Sequence, residues 1–258
     1  MTTTDASLLA NIDARTKLAG SNKMEILLFT LGTRETFGIN VFKVREVSQT
    51  PHVTKTPNMT VGVEVVISLR GNIIPVIYLH RFIANTRADG VYNSMIVTEF
   101  NKSTQAFLVG DVDRIIRVDW DKVRAPENMV ANNQSAMITA ITELEDGKLV
   151  SILDVEQILS SVIGETRIPD IPKANLDTDQ FVFFCDDSVV ARKEITGVLD
   201  KMGVKYHQAN NGREAWERLQ AFASRLWNDG ESLHDILKFI LVDAEMPEMD
   251  GYVMKRLL

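Results

Sequence analysis

At 258 residues the chain is long for one ordinary domain and comfortable for two. Hydrophobic residues make up 45% and charged residues 24%, a globular balance, and a net charge of −7 gives no electrostatic reason to expect nucleic acid or an anionic membrane as partner. The single cysteine, Cys185, excludes an internal disulfide and reads as core; no apolar run approaches the roughly 20 residues of a membrane span, and residues 1–20 lack a secretory pattern, so a cytoplasmic protein is expected.

Residues 5–18 carry Leu8, Leu9, Ile12 and Leu18 at mostly helical spacing, with Asp5 or Ser7 as cap and Gly20 as stop, and predict a short helix within residues 1–20. From Met24 the pattern changes to short strands, 25–31 and 35–39, punctuated by Gly32 and Gly38. Val41, Val44 and Val47 stand three apart, which predicts a helical turn or a twisted strand between Asn40 and Ser48. Strands 63–69 and 73–79 flank Arg70-Gly71-Asn72 as a hairpin. Pro75 cannot donate a ladder hydrogen bond, so the returning strand is expected at an edge or a bulge. Strands 94–100 and 105–109 pair around residues 101–104, 114–118 continues the β pattern, and 138–143 pairs with 149–153 around Glu145-Asp146-Gly147-Lys148. Asp154 then caps a helix over 155–163. So many short strands at near-regular spacing predict a small β-barrel architecture, or two linked barrels. No nucleophile–base pair, metal-ligand cluster or glycine-rich phosphate loop occurs in this half, and His52 and His80 stand alone, which points to a binding module.

The segments GINVFKVREV, ISLRGNIIPVIYLH and ITELEDGKLVSILDVEQIL resemble the CheW coupling-protein fold along nearly all of a first domain, residues 21–163, and LRGxIxPVI is the most specific piece. The resemblance implies a CheW-like double five-stranded β-barrel that binds the cytoplasmic tip of a chemoreceptor (a methyl-accepting chemotaxis protein) and the histidine kinase CheA. It makes Arg70 of the LRG turn the receptor-contact arginine, with Val44 and Glu46 of KVREV on the same surface. The residues alone support Arg70 more weakly: a turn tip points outward, where an arginine reaches carboxylates and carbonyls across an interface, yet a tolerated hairpin residue reads the same. Tyr78 departs from the family, which usually has an aspartate after PVI.

Residues 164–179 gather Gly164, Pro169, Pro172 and Asn175 in a short polar span and read as a semi-rigid linker. Beyond it the chain reads β-α-β-α-β-α: strand 181–185, helix 189–202, strand 205–209, helix from 212 to about 227, strand 238–243 and a helix from Gly251. FVFFC and KFILV are unbroken apolar runs, as expected of strands covered on both faces in a parallel sheet. They stop at Asp186-Asp187 and at Asp243, the carboxyl ends where ligands bind in open α/β sheets. If the strands are parallel neighbours, three carboxylates converge, and a hard divalent cation, Mg²⁺ by choice, relieves their repulsion. Asp186-Asp187 alone reads equally as a solvated turn capping the next helix through Asp187 or Ser188. Met246-Pro247 forces an extended turn, Asp250 is a good N-cap, and His207 and His234 lack partners at zinc-ligand spacing.

FFCDDS followed by LVDAEMPEMDG resembles a response-regulator receiver domain, a flavodoxin-like module phosphorylated on aspartate. The resemblance implies Asp243 as phosphoacceptor, Asp187 as a direct Mg²⁺ ligand, Asp186 as a ligand through water, and the backbone carbonyl of Glu245 as a further ligand. Leu258 is reached before the last strands and helices of such a fold. The receiver over 180–258 is therefore expected to be incomplete, without its switch Ser/Thr and its lysine, and to expose a sheet edge and face. A CheW-like half followed by a receiver half is the layout of the CheV chemotaxis adaptors. The expectation is thus a multidomain β plus α/β adaptor, not an enzyme, that couples chemoreceptors to CheA in receptor arrays and takes a phosphoryl group as regulator or sink. Two alternatives stay open: a scaffold with an inert receiver, and a Mg²⁺-dependent phosphohydrolase in which Glu245, two residues after the nucleophile, serves as acid/base.

Overall fold

The computed structural model describes residues 23–55, 63, 65–83, 92–100, 103–124, 137–164, 168–177, 179–228, 230, 232–246 and 248–258. The helix expected over residues 5–18 lies outside the described residues. Two compact units divide the chain, with the boundary after Gly164. Among the described residues no helix is long and apolar enough to cross a membrane.

In the first unit, β1 (Lys23–Phe29), β2 (Thr36–Asn40), β9 (Val112–Asp119), β10 (Ile138–Glu143) and β11 (Leu149–Leu153) form a five-stranded sheet in the order β10-β11-β2-β1-β9. Strands β3 (Val44–Gln49), β4 (Thr54–Lys55), β5 (Val65–Leu69), β6 (Asn72–Tyr78), β7 (Ser94–Phe100) and β8 (Ser103–Val109) form a six-stranded sheet in the order β3-β7-β8-β6-β5-β4. Each sheet is antiparallel except for one parallel pair, β11 with β2 and β6 with β8. Five strands hold for the first sheet, and the count is corrected only for the second, where the two-residue β4 pairs with β5 as a sixth strand. The edge position expected for the Pro75 strand is corrected too, since β6 lies between β8 and β5. Its proline is tolerated because the parallel register with β8 begins only at Val76, one residue later.

The absence of alternation in KMEILLF follows from burial on both faces of β1. Leu27 and Phe29 enter a central core with Phe37, Ile39, Ile77, Ile96, Phe107 and Val109, so that core draws on both sheets. Met24, Ile26 and Leu28 pack on the opposite face with Val118, Trp120, Val150 and Ile152. Strand β8 does the same in the other sheet, Phe107 and Val109 facing the central core while Ala106 and Leu108 join Val65, Ile67, Val76 and Val97. Helix α1 (Val155–Ile163) closes the central core with Val155, Ile158, Leu159 and Val162. The Asp154 side chain accepts from Gln157 N at 2.9 Å as its N-cap, and burial holds that carboxyl above the usual carboxylate range. Lys43, in the 3-10 turn Val41–Lys43, pairs with the nearly buried Glu156 of α1 and ties the turn to the helix. The turn and β3 occupy adjacent residues, so both readings of the valine spacing apply.

In the second unit, β12 (Phe181–Cys185), β13 (Lys205–Ala209) and β14 (Leu237–Val242) form a parallel sheet ordered β13-β12-β14. The helices are α2 (Val189–Met202), α3 (Gly212–Asn228), the single turn α4 (Leu233–Ile236) and α5 (Gly251–Leu257). All five residues of β12 are buried. Phe181, Phe183 and Cys185 pack with Ala215 and Leu219 of α3, Met246 and Met254; Val182 and Phe184 pack with Leu199 of α2 and Val204. A two-faced strand needs no alternation, which is why the apolar run was legible. On β14, Phe239 and Leu241 are exposed.

Gly38 is not punctuation but the middle of β2. A Cβ there would lie 2.4 Å from Ile26 Cγ2 and 3.1 Å from Val150 Cγ1, so the glycine makes room for two core side chains. Gly38→Val is expected to destabilise the first unit by about 1–3 kcal/mol through overpacking. Denaturant unfolding reads this as a lower midpoint at an unchanged slope; an unshifted midpoint would show that the core yields freely at β2.

Candidate functional site

Two groups of residues stand out, one in each unit. In the second unit, β12 and β14 are parallel neighbours with Cys185 level with Val242, so their next residues emerge side by side at the carboxyl end of the sheet. Asp243 N donates to Cys185 O at 3.0 Å, which holds the end of β14 against β12. Asp186, Asp187 and Asp243 each offer a carboxylate oxygen, and these oxygens lie within 4.8 Å of one another. All three residues are half-buried. Glu245 is half-buried two residues beyond Asp243, and its carboxylate is not among the three.

The local sequence builds this cluster. Asp186 Oδ1 accepts from Ser188 N at 2.8 Å, a turn that leads into α2, and Ser188 Oγ caps the helix by accepting from Ala191 N at 3.2 Å. Arg192, one turn into α2, donates from Nη1 to Asp186 O at 2.7 Å. Sequence reasoning missed this arginine, for which only its i+6 spacing from Asp186 was a signal. After Asp243 the chain turns tightly. Gly251 N donates to Ala244 O at 3.1 Å, and Asp250 caps α5 by accepting from Val253 N at 2.7 Å. A Cβ on Gly251 would stand 2.2 Å from Asp243 O, so only glycine lets α5 start this close to the acid. Beneath the cluster Cys185 is buried, as expected, and burial together with the negative charge of Asp186 and Asp243 pushes its thiol up to about 12.

Three carboxylates at this spacing repel one another, and their chemistry is that of a hard-cation site. Asp186, Asp187 and Asp243 together supply the all-oxygen, negatively charged donor set that such a cation takes.

In the first unit, Leu69 is level with Asn72, so Arg70 and Gly71 form a two-residue hairpin turn with φ of +51° and +86°, the geometry of a type I′ turn. The Arg70 side chain is 68% exposed, and its Nη2 lies 2.6 Å from Glu46 Oε2 on β3. In sheet order β3 and β6 are three steps apart, about 14 Å in a flat sheet. Two long side chains bridge that distance. Arg45, beside Glu46, donates to Glu99 Oε2 at 2.7 Å and Thr104 Oγ1 at 3.3 Å. Arg45, Glu46, Arg70, Ile73, Pro75 and Thr104 line an open groove of about 410 Å³. Arg45, Thr104 and Ile73, the last exposed at 76%, are groove residues that sequence reasoning missed. Val44 is a correction: at 7% exposure it belongs to the central core, because the turn 41–43 delivers the start of β3 inward. His80, which stands alone in sequence, takes a packing role among rings. It lies 2.5 Å from Tyr92 Oη through Nδ1, and His80, Tyr92 and Tyr78 form a trio of rings with centroids 5.5–5.7 Å apart. Tyr78 thus fills with aromatic packing the place where an aspartate was expected.

The sequence pattern of the CheW-like domain family matches residues 25–162. The chain is 35% identical to chemotaxis protein CheV3 of Helicobacter pylori, over 84% of this chain and 70% of that protein. It is 28% identical to chemotaxis protein CheV1 of the same organism, over 96% of this chain and 81% of that protein. Among solved structures, the scaffolding protein TtCheW from Thermoanaerobacter tengcongensis is similar at a TM-score of 0.46 and 27% identity, over 51% of this chain and 84% of that one.

Gly251→Ala is expected to push against the Asp243 carbonyl and to lower the stability of the second unit by about 1–3 kcal/mol. Hydrogen exchange of the β12 and β14 amides reads that unit alone. Unchanged exchange would mean that the approach of α5 to Asp243 is slack.

Proposed function

The chain belongs to the CheV chemotaxis proteins, with a CheW-like domain over residues 25–162, and from this we propose that it couples chemoreceptor tips to the histidine kinase CheA and is regulated by phosphorylation of Asp243. Its role as a chemotaxis adaptor follows from the family. The finer reading assigns receptor and kinase contact to the surface around Arg70 and Glu46, and phosphoryl acceptance to the second unit, taken as a receiver module of receptor arrays in the cytoplasm.

The observation that carries the regulatory reading is the convergence of Asp186, Asp187 and Asp243 at the carboxyl end of parallel strands, in a chain whose other unit is CheW-like. The residues that would hold Mg²⁺ are Asp187 and Asp243 directly, Asp186 through water, and the backbone carbonyl of Glu245. When bound, the ion would neutralise the acids and bind the incoming phosphoryl oxygens. A carboxylate oxygen of Asp243 forms the new bond to phosphorus in line as the bond to the donor, a phosphohistidine of the kinase, breaks; the electron pair of that bond returns to the imidazole. The product is an acyl phosphate on Asp243. Arg192 holds the Asp186 main chain in place meanwhile, and Ser188 anchors α2 beside it. A phosphate there biases one arrangement of the second unit over another, which is how a modification at one site reaches a surface elsewhere.

On the first unit, an exposed arginine held by a nearly buried glutamate presents its remaining donors in a fixed direction, beside the apolar Ile73. That combination suits an interface anchor.

Two measurements test these halves. Incubation with autophosphorylated CheA and Mg²⁺ is expected to label the wild-type chain and to leave Asp243→Ala unlabelled. Label persisting in Asp243→Ala, or absent from the wild type, would remove the regulatory half. Arg70→Ala is expected to weaken co-sedimentation with receptor-bearing membranes and CheA by about tenfold, the scale of one interface anchor. Wild-type co-sedimentation in that variant would place the interface elsewhere.

A further inference from the structure

Residues 168–177 read in sequence as a linker, yet part of this span lies on the second unit. Ala174 N donates to Met202 O at 2.9 Å, at the end of α2. Lys201 Nζ donates to the carbonyls of Ile168 at 2.5 Å and Pro169 at 3.2 Å, and stands 3.9 Å from Asp170 Oδ1. Ala174 packs against the cluster of Val182, Phe184, Leu199 and Val204. Ile168 fills a notch in the helix. A Cβ on Gly197 would lie 2.4 Å from Ile168 Cδ1, which accounts for a glycine in a helix interior, where it otherwise weakens the helix.

The spacing of these contacts has a physical source. Ile168, Ile171 and Ala174 are half-buried, while Pro169, Asp170, Pro172 and Lys173 are exposed. Burial thus recurs every third residue, the period of a polyproline II helix, and each of the two isoleucines is followed by a proline that favours that form. Such a segment enters the bound shape with little entropy to lose. It is also lightly fastened: among the described residues one backbone hydrogen bond joins it to α2, and the clamp Lys201 is 40% exposed.

We propose that residues 168–174 are a releasable strap. Docked on α2, the strap is part of the second unit; released, it lengthens the tether between the units. Tether length sets the effective concentration at which each unit meets what the other has bound, so docking and release change the coupling between them without altering either binding surface.

Trypsin cleavage of the full chain after Lys173 tests the strap, with cleavage after Lys148 in an exposed turn as internal reference. The variants are Gly197→Leu, which fills the notch with a better helix former, and Ile168→Ala, which removes the knob without touching α2. The wild type is expected to be cut slowly after Lys173, and both variants faster by about tenfold or more, because cleavage follows the population of the open form. Equal cleavage of wild type and variants overturns the strap. So does acceleration confined to Gly197→Leu together with lost hydrogen-exchange protection in β12, which would be misfolding rather than release.

Discussion

Strands β1 and β8 bury side chains on both faces, and the first unit is organised by that constraint. A strand with two dry faces must lie between two cores, so each sheet has to serve the central core on one side and its own on the other. The rest follows from space. Gly38 is small because Ile26 and Val150 converge on it, and α1 is amphipathic because one face closes the central core. The Arg70–Glu46 pair joins the β5–β6 turn to β3 across the second sheet.

The second unit obeys a different constraint, the close approach of backbone to backbone at its acidic end. Gly251 meets the Asp243 carbonyl, and a Cβ on Gly212 would stand 2.1 Å from Met249 O, so helices α3 and α5 both start against the segment that follows β14. Arg213 of α3 adds an ion pair to Glu248 at 3.3 Å on that segment. Side chains at either glycine would wedge the segment outward, and Asp243 would leave the other two acids. Carboxylate convergence therefore rests on two residues with no side chain at all.

Much of this was legible in sequence for identifiable reasons. The strands of the first unit were bounded by turn residues, and β12 and β14 were uninterrupted apolar runs ending in acids, so their parallel pairing and the meeting of Asp186, Asp187 and Asp243 could be expected before any coordinates. What escaped was whatever depends on facing rather than identity. Val44, three residues from Val41 and Val47, has no spacing that tells core from surface, and only the 3-10 turn before it turns it inward. Ile73 looked like any strand residue, and the resemblance that put Glu46 on the Arg70 surface did not show that the two pair. Residues 168–174 read as a tether because proline and glycine signal irregular chain, while a burial period of three matches neither helix nor strand.

The conformation of Arg70 has a consequence for how this position changes over time. A residue with a Cβ held at φ +51° costs roughly 1–2 kcal/mol relative to a right-handed conformation, a cost that glycine escapes. Stability alone favours glycine or asparagine at this position. Arg70 thus carries an outward-facing charge where glycine would make the steadier turn, so variants chosen for heat resistance alone are expected to lose that charge early.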